Sequence, residues 1–330
     1  MQQRELGSSG IQASVVAFGA WAIGGGPWWG PTDDAESIRA IHAALDAGIN
    51  LIDTAPVYGF GRSEEVIGKA LKDRRDRAVI ATKCGLWWDD DTGVLHFEQL
   101  GFKVRRTLDP RTIRLEVETS LKWLGTDRID VLQTHWQAPE AFKTPIADTM
   151  ACLMDLKQQG KIRAIGASNV TPAEMDEYLR CGALDVCQPR YSLLDRRIEA
   201  DVLPYCHKNK VATLVYSPLE QGLLTGKIGM DKKLTADEFR NRIAWFKPAN
   251  RQCVLTMLAG WKDLTEKYHC TIGQLVIAWT VAQPGVTCAL CGARKAADAV
   301  ENAGAGALHL DVADVARIRY DAEALGTPQA

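Results

Sequence analysis

The stretch LIDTAPVYGFG, residues 51–61, decides how this 330-residue chain is read. Leu51 and Ile52 have the character of a buried strand, yet the run stops at Asp53. A carboxylate taken out of water is costly unless a cation or several donors pair with it. Five residues on stands Tyr58, between Val57 and Gly59. An apolar strand that ends in a charge, with a phenol in the loop beyond it, raises the question of what that charge holds.

Outward from this stretch the same pattern recurs. Short apolar runs appear as SVVAFG from Ser14, INLIDT from Ile49, AVIATK from Ala78 and IDVLQTH from Ile129. IRAIGAS from Ile162, LDVCQ from Leu184, VATLVYS from Val211 and GVTCALCG from Gly285 complete a set of eight. Most of the intervening segments have helical spacing. DDAESIRAIHAALDAG puts Ile38, Ile41, Ala44 and Leu45 on one face and closes at Gly48. DPRTIRLEVETSLKWLG offers Asp109 as a cap with Pro110 at the first helical position. Two further segments, TPIADTMACLMDLKQQGK and TPAEMDEYLRCG, open with Thr-Pro and close at glycine. Strand and helix alternating without a composition break predict parallel pairing, and near-continuous apolar strands suit a sheet covered on both faces.

Two closures of that sheet compete. A doubly wound dinucleotide fold calls for G-x-G-x-x-G after its first strand, and neither GAWAIGGG at 19–26 nor GFGRSE from Gly59 matches. Eight units predict an α/β fold of the (β/α)8 TIM-barrel type, with one domain over residues 1–330. The first residues, turning at Gly7 to Gly10, predict a hairpin over the barrel floor. Beyond Ala307 an extra helix is expected, with Val312, Val315, Ile318 and Leu325 facing inward.

Composition narrows the partners. Hydrophobic residues make up 46% and charged residues 24%, enough for a sizeable core. With 39 basic against 41 acidic residues the net charge is −2, which argues against nucleic acid or an anionic membrane as partner. MQQRELGSSG has no apolar signal core, and LVIAWTVA from Leu275 is too short to span a bilayer, so a cytoplasmic protein is expected. The nine cysteines read as free buried thiols. Cys288 and Cys291 spell C-x-x-C, but on a strand such positions face opposite ways and no second pair completes a zinc site.

Barrel active sites lie at the carboxyl ends of the strands. There the sequence offers Gly19-Ala20-Trp21, Asp53, Lys83, His135, Ser168-Asn169, Gln188, Tyr216-Ser217 and Gly292-Ala293-Arg294. Asp53 and Lys83 on neighbouring strands would form an ion pair, each offsetting the other's desolvation. Tyr58 would reach the Lys83 ammonium, which lowers a phenol's pKa and suits it to donate a proton to a developing alkoxide. His135 would fix the same oxygen. With no activated serine or cysteine evident, hydride from a nicotinamide is the expected attacker on the carbonyl carbon.

These residues resemble the aldo-keto reductases. GINLIDTAPVYGFGRSEEVIGKAL, ATK ending in Lys83, LQTHW around His135, GASN from Gly166, YSPLEQGLLTGK from Tyr216 and CGARKAADAVENAG from Cys291 carry the likeness. Within the family the chain resembles bacterial reductases of methylglyoxal and other small aldehydes. The resemblance implies Asp53, Tyr58, Lys83 and His135 as the catalytic set. It implies Ala20, Trp21, Asp53, Ser168, Asn169 and Gln188 around the nicotinamide, with Tyr216 stacked on the ring. Ser217, Pro218, Leu219, Gln221, Gly222, Lys227 and Arg242 would follow the pyrophosphate. Gly292, Arg294, Asp298, Glu301 and Asn302 would hold the adenosine end. Two residues depart from the family: Cys291 stands in place of a proline, and Asp298 in place of Gln or Arg. A carboxylate there opposes a 2′-phosphate while Arg294 and Lys295 attract it, so NADPH is expected ahead of NADH.

Trp21, Trp28, Trp88 and Trp136 are expected to wall the substrate site, with Trp29, Trp87 and Trp245 also in loops on that face. GGGPWWG from Gly24 reads as a flap. The DDD run at Asp89 reads as a solvated loop, and His42, His96, His207, His269 and His309 as surface or core positions. The expected partner is a small carbonyl compound. Aldose oxidation at the anomeric carbon, and a cofactor-sensing module like a potassium-channel subunit, are the competing functions.

Overall fold

The computed structural model describes residues 1–236 and 238–329; Ala330, the last residue of the expected domain, lies outside them. A hairpin of β1 (Gln3–Glu5) and β2 (Gln12–Ser14) comes first. Eight parallel strands then close a barrel. They are β3 (Val16–Gly19), β4 (Leu51–Asp53), β5 (Val79–Cys84), β9 (Ile129–Thr134), β10 (Ile162–Ser168), β11 (Val186–Gln188), β12 (Ala212–Tyr216) and β13 (Cys288–Gly292). The expected (β/α)8 closure is the observed one.

The helices that return the chain are α1 (Asp34–Asp46), α2 (Arg62–Leu71), α3 (Pro110–Leu124), α4 (Ile146–Gln158), α5 (Pro172–Cys181), α6 (Val202–Asn209), α9 (Ile272–Val281) and α10 (Ala296–Gly304). The additional helices α7 (Pro248–Ala259) and α8 (Lys262–Tyr268) precede α9, and α11 (Val312–Ala324) ends the chain. Their starts follow from side-chain chemistry. Asp33 accepts from the Glu36 amide, Asp109 from Arg111, and Thr171–Glu174 and Thr271–Gln274 form reciprocal capping boxes. No helix among the described residues is long and apolar enough to cross a membrane.

Strand periodicity sorts the side chains into two cores. Ala17, Leu51, Val79, Ala81, Val131, Ala164, Val186, Leu214, Cys288 and Leu290 fill the barrel, together with Leu6, Ile11 and Ala13 of the hairpin, which plugs the floor as expected. The alternate positions, such as Phe18, Ile52, Ile80, Leu132, Ile165, Val215 and Cys291, pack outward against the helices. Cys288 and Cys291 thus lie in different cores, and all nine cysteines are free. Cys181 and Cys253 are exposed, against the expectation of buried thiols, because each falls on the solvent side of its helix.

Two features differ from the sequence reading. Residues 86–106 form a small antiparallel sheet in the order β6 (Leu86–Trp87), β8 (Phe102–Arg106), β7 (Val94–Gln99), standing on the rim after β5. The DDD run is the exposed turn between two of its strands, a solvated loop as the sequence reading has it. Asp90 accepts from the Thr92 amide, Trp87 Nε1 at 2.7 Å and Arg111, which hold its carboxyl well below the usual range. On α11, Ile318 is buried and Val315 and Leu325 pack on the core, but Val312 is 86% exposed. It sits in the first turn beside Asp311, where Lys267 and Tyr268 draw the acidic helix end to α8 and leave Val312 outside.

Candidate active site

On five of the eight strands the inward face turns from apolar to polar in a single step toward the carboxyl end. Leu51 is followed by Asp53, Ala81 by Lys83, Val131 by Gln133, Val186 by Gln188 and Leu214 by Tyr216, each two residues on and on the same side. The change of character at one level of these five strands, with glycines at that level on the other three, creates the site.

At its base lies a buried charge cluster. Lys83 Nζ donates to Asp53 Oδ1 at 2.7 Å and to the Thr54 carbonyl at 2.7 Å, with side-chain exposures of 1% for Lys83 and 6% for Asp53. Asp53 Oδ2 accepts from Gln188 Nε2 at 2.7 Å and Gln133 Nε2 at 3.2 Å. The opening question is thereby answered: Asp53 holds Lys83 and two amides. Register puts Lys83 opposite Gln133, and Gly166 leaves room for it, since a Cβ there would come within 2.7 Å of Gln133 Cγ. Gln133 was missed in the sequence. Its signal was its parity with Val131, one step before His135.

Above the pair, Lys83 Nζ stands 5.1 Å from the centroid of the Tyr58 ring, and the Tyr58 and His135 rings meet edge to face at 5.9 Å. The phenol's pKa differs from the sequence expectation. Burial raises it and outweighs the lowering by Lys83, so Tyr58 stays protonated well past neutrality. Burial pulls Lys83 down, but Asp53 and Tyr58 more than reverse this and keep the ammonium charged. His135, half-buried at the cavity, is held well below its ordinary value by desolvation and by the nearby positive charge of Lys83, and is a neutral imidazole.

From this cluster a cavity of about 850 Å³ runs along the rim. One end is lined by Asp53, Tyr58, His135, Ser168, Asn169, Gln188 and Tyr216. The middle is lined by Ser217, Pro218, Leu219, Gln221, Gly222, Lys227 and Arg242, and the far end by Gly292, Arg294, Asp298, Glu301 and Asn302. All of these were expected around the cofactor or the reacting carbonyl. Tyr216 Oη donates to Asn169 Oδ1 at 2.9 Å, and Asn169 Nδ2 to the His135 carbonyl at 3.1 Å, which ties these strand ends together. Ser217 and Gln221 are held at positive φ, 61° and 50°, turning the chain along the groove.

Three expected residues do not line it. Lys83 lies behind Asp53. Ala20 is fully buried, its amide bonded to the Asp53 carbonyl and its own carbonyl to Ser63 Oγ. Trp88 turns away, because it packs edge-on against Phe60 at 5.3 Å and beside Phe102. Trp87 and Trp245 are buried packing residues. Trp21, Trp28, Trp29 and Trp136 do line the cavity, joined by Phe97, Phe239, Gln99 and His96. His96 is exposed, as a surface placement has it, and it also lines the pocket, a role the sequence reading did not assign.

The flap crosses the cavity. Trp21 meets Trp29 at 5.1 Å and Phe239 at 5.2 Å, Arg294 Nη1 donates to the Trp29 carbonyl at 3.0 Å, and the Arg240 guanidinium lies 5.6 Å from the Trp29 ring. Its root is pinned. A Cβ on Gly24 would fall 2.6 Å from the Tyr58 carbonyl carbon, and one on Gly59 would fall 2.3 Å from the Gly24 carbonyl oxygen. Gly25, Gly26 and Gly30 all have positive φ.

The donor set fits a nicotinamide dinucleotide. The groove is long and polar beside the ring of strand ends, and two of its polar atoms, Trp29 Nε1 and Gln221 Oε1, are buried without a partner among the described residues. No cluster of metal-ligating side chains occurs among the described residues.

Comparison with known proteins agrees with this geometry. The model of the Aldo/keto reductase family matches residues 15–321. An Escherichia coli (strain K12) protein named NADH-specific methylglyoxal reductase is 44% identical over 328 residues, covering 98% of this chain and 99% of its own. Aldo-keto reductase YhdN of Bacillus subtilis (strain 168) is 41% identical, over 89% of this chain and 86% of its own. Among solved structures, the glycerol dehydrogenase AKR11B4 from Gluconobacter oxydans superposes with a TM-score of 0.87 at 39% identity, covering 99% of this chain and 96% of that one.

Proposed function

The chain belongs to the aldo/keto reductase family and is an NAD(P)H-dependent carbonyl reductase, and we propose that it reduces small aldehydes and 2-oxoaldehydes with Tyr58 as the general acid. The observation that carries this reading is the stack of Asp53, Lys83 and Tyr58 beside a neutral His135 at the open end of an aromatic-walled cavity. The E. coli relative's name points to methylglyoxal as a first substrate to try.

When bound, the cofactor supplies the hydride; Ser168, Asn169 and Gln188 would hold its carboxamide end, and Ser217 to Gly222 its pyrophosphate. The residues of the chain manage the oxygen. Tyr58 and His135 fix the carbonyl oxygen from two sides. As that oxygen gains negative charge, the Tyr58 hydroxyl gives up its proton and the product is an alcohol. Lys83 stabilises the phenolate left behind, and Asp53 holds Lys83 in place. A neutral imidazole at His135 donates a hydrogen bond without competing as the acid. Tyr58 then regains its proton from solvent.

Cofactor choice rests on the far end. Arg294 and Asp298 both line the cavity and oppose each other over a 2′-phosphate, Lys227 is engaged by Glu301, and Lys295 is not among the lining residues. One cation rather than two favours the phosphate, which narrows the expected margin of NADPH over NADH. Oxidation of polyols or aldoses is the same chemistry reversed, and the resemblance to a glycerol dehydrogenase structure keeps it in view.

The test is steady-state turnover of the purified protein with NADH and NADPH against methylglyoxal, propanal, glyceraldehyde and an aldose, with the reverse reaction measured on glycerol and the aldose. Reduction of the small aldehydes is expected to give the highest kcat/KM. Turnover confined to sugar or polyol oxidation would replace this reading.

A further inference from the structure

The inserted sheet brings a polar group to the substrate end of the cavity by an irregularity in its pairing. β7 and β8 are in register through Leu95 and Arg105, then resume at Phe97 and Val104, so His96 is an extra residue with no partner across the ladder. A bulge of this kind bends a strand and re-aims a side chain. Consecutive residues of a regular strand face opposite ways. Here His96 and Phe97 both line the cavity. The His96 ring lies 5.8 Å from Trp136 and 5.5 Å from Phe97, while Phe97 meets Trp28 of the flap at 5.4 Å. His96 makes no side-chain hydrogen bond among the described residues, and it is open toward the cavity mouth. His96 and His135 line the same cavity, and the ring next to His96 is that of Trp136, the residue following His135.

The surroundings of this ring are otherwise aromatic: Trp28, Phe97 and Trp136. Arg106 lies over the Trp136 ring, 5.3 Å from its centroid, and its Nη2 donates to the Gln137 carbonyl. Burial and Arg106 hold His96 below its ordinary pKa, so near neutral pH it offers one N–H donor and one ring-nitrogen acceptor. Tyr58 and His135 already serve the reacting oxygen. A free donor and acceptor lining the same cavity suits a second oxygen on the adjoining carbon.

We infer that His96 is the specificity-determining residue that selects carbonyl substrates bearing a second oxygen next to the reacting carbon, 2-oxoaldehydes and 2-hydroxyaldehydes, over plain alkyl aldehydes. The inference rests on the small-aldehyde reductase reading above and names the polar member of that substrate class. His96 contacts the bound substrate and takes no part in proton transfer, so its effect falls on KM more than on kcat.

The experiment compares methylglyoxal with propanal, which has the same carbon chain and lacks the second oxygen, in the full-length protein and in His96→Phe and His96→Asn. A net hydrogen bond between uncharged groups corresponds to roughly a 3- to 15-fold effect. His96→Phe is expected to lower kcat/KM for methylglyoxal by that factor, mainly through KM, and to leave propanal within about twofold. His96→Asn, which keeps a donor and an acceptor, is expected to recover part of the loss. Nicotinamide fluorescence titration should give an unchanged cofactor Kd in both variants. Equal losses on both aldehydes, or no loss on either, would overturn the inference while leaving the reductase reading intact. A parent protein that reduces neither aldehyde would remove both.

Discussion

Lys83 Nζ and Asp53 Oδ1 stand 2.7 Å apart with almost no water on either, and the same carboxylate is the hub for Gln133 and Gln188. The pair is therefore both a structural element and a setting for Tyr58. Buried pairs of this kind are weak contributors as pairs but expensive to break by halves.

Removing one partner should show this. Lys83→Met alone is expected to destabilise the fold by about 3–5 kcal/mol, because it leaves an uncompensated buried carboxylate. The double variant Lys83→Met/Asp53→Asn should regain much of that loss without regaining activity. Denaturant unfolding of the two variants checks it; a double variant no more stable than the single one would locate the cost elsewhere.

Tyr58→Phe separates chemistry from binding. The ring remains to pack against His135 and Trp21. Turnover is expected to fall by about 100- to 10,000-fold, the usual contribution of a positioned acid, with cofactor Kd nearly unchanged. Near-normal rates in this variant would assign the proton to another group.

Glu116 predicts a pH dependence of stability. Its carboxylate sits behind the barrel wall, accepting from the Gly85 amide at 2.8 and 3.0 Å, next to the similarly buried Glu64. Burial raises Glu116 to about 8 from an ordinary 4.5, and burial raises Glu64 to about 7. Between those values the folded chain holds more protons than the unfolded one, so these two groups contribute stability that is full below pH 4.5 and is lost as pH rises toward 7 and 8. Glu116→Gln mimics the protonated form. Its unfolding free energy is expected to fall less steeply than the parent's between pH 5 and 8, by a difference of a few kcal/mol across that span. Parallel curves would show that Glu116 is ionised in the fold.

The adenosine end gives a prediction in ratios. Asp298→Asn should raise the ratio of kcat/KM with NADPH to that with NADH, and Arg294→Ala should lower it, each by roughly 3- to 10-fold for one partly exposed charge facing a phosphate. Steady-state kinetics with both cofactors on one aldehyde reads it directly. An unchanged ratio in both variants would place the 2′ position away from these residues.

The barrel was legible because its strands carry apolar residues on both faces, and the site because parity carries straight through from core to rim. Leu51 to Asp53 and Ala81 to Lys83 can be read from the sequence alone. Gln133 escaped notice because a glutamine beside a histidine looks like ordinary loop polarity until register sets it across from Lys83. The inserted sheet escaped for a different reason. VLHFEQ and FKVRR expose residues on both faces, so neither the buried-strand nor the half-buried pattern applies. His96 owes its place to a bulge, which no periodicity announces. The direction of the Tyr58 shift depended on how deeply the phenol sits, a property of the packed loops rather than of its neighbours in sequence.

The crossing of Gly24 over Gly59 divides the first loop into two parts with different freedom. A methyl group at either glycine would push directly on the main chain at this crossing, next to Tyr58, the proposed proton donor. The tip from Gly26 to Gly30 meets no such obstacle, since added bulk at either of those glycines would reach open space. The mouth of the enzyme can thus be rewritten at Pro27, Trp28 and Trp29 while the acid stays where it is, so that the choice of what is admitted and the act of protonation vary independently.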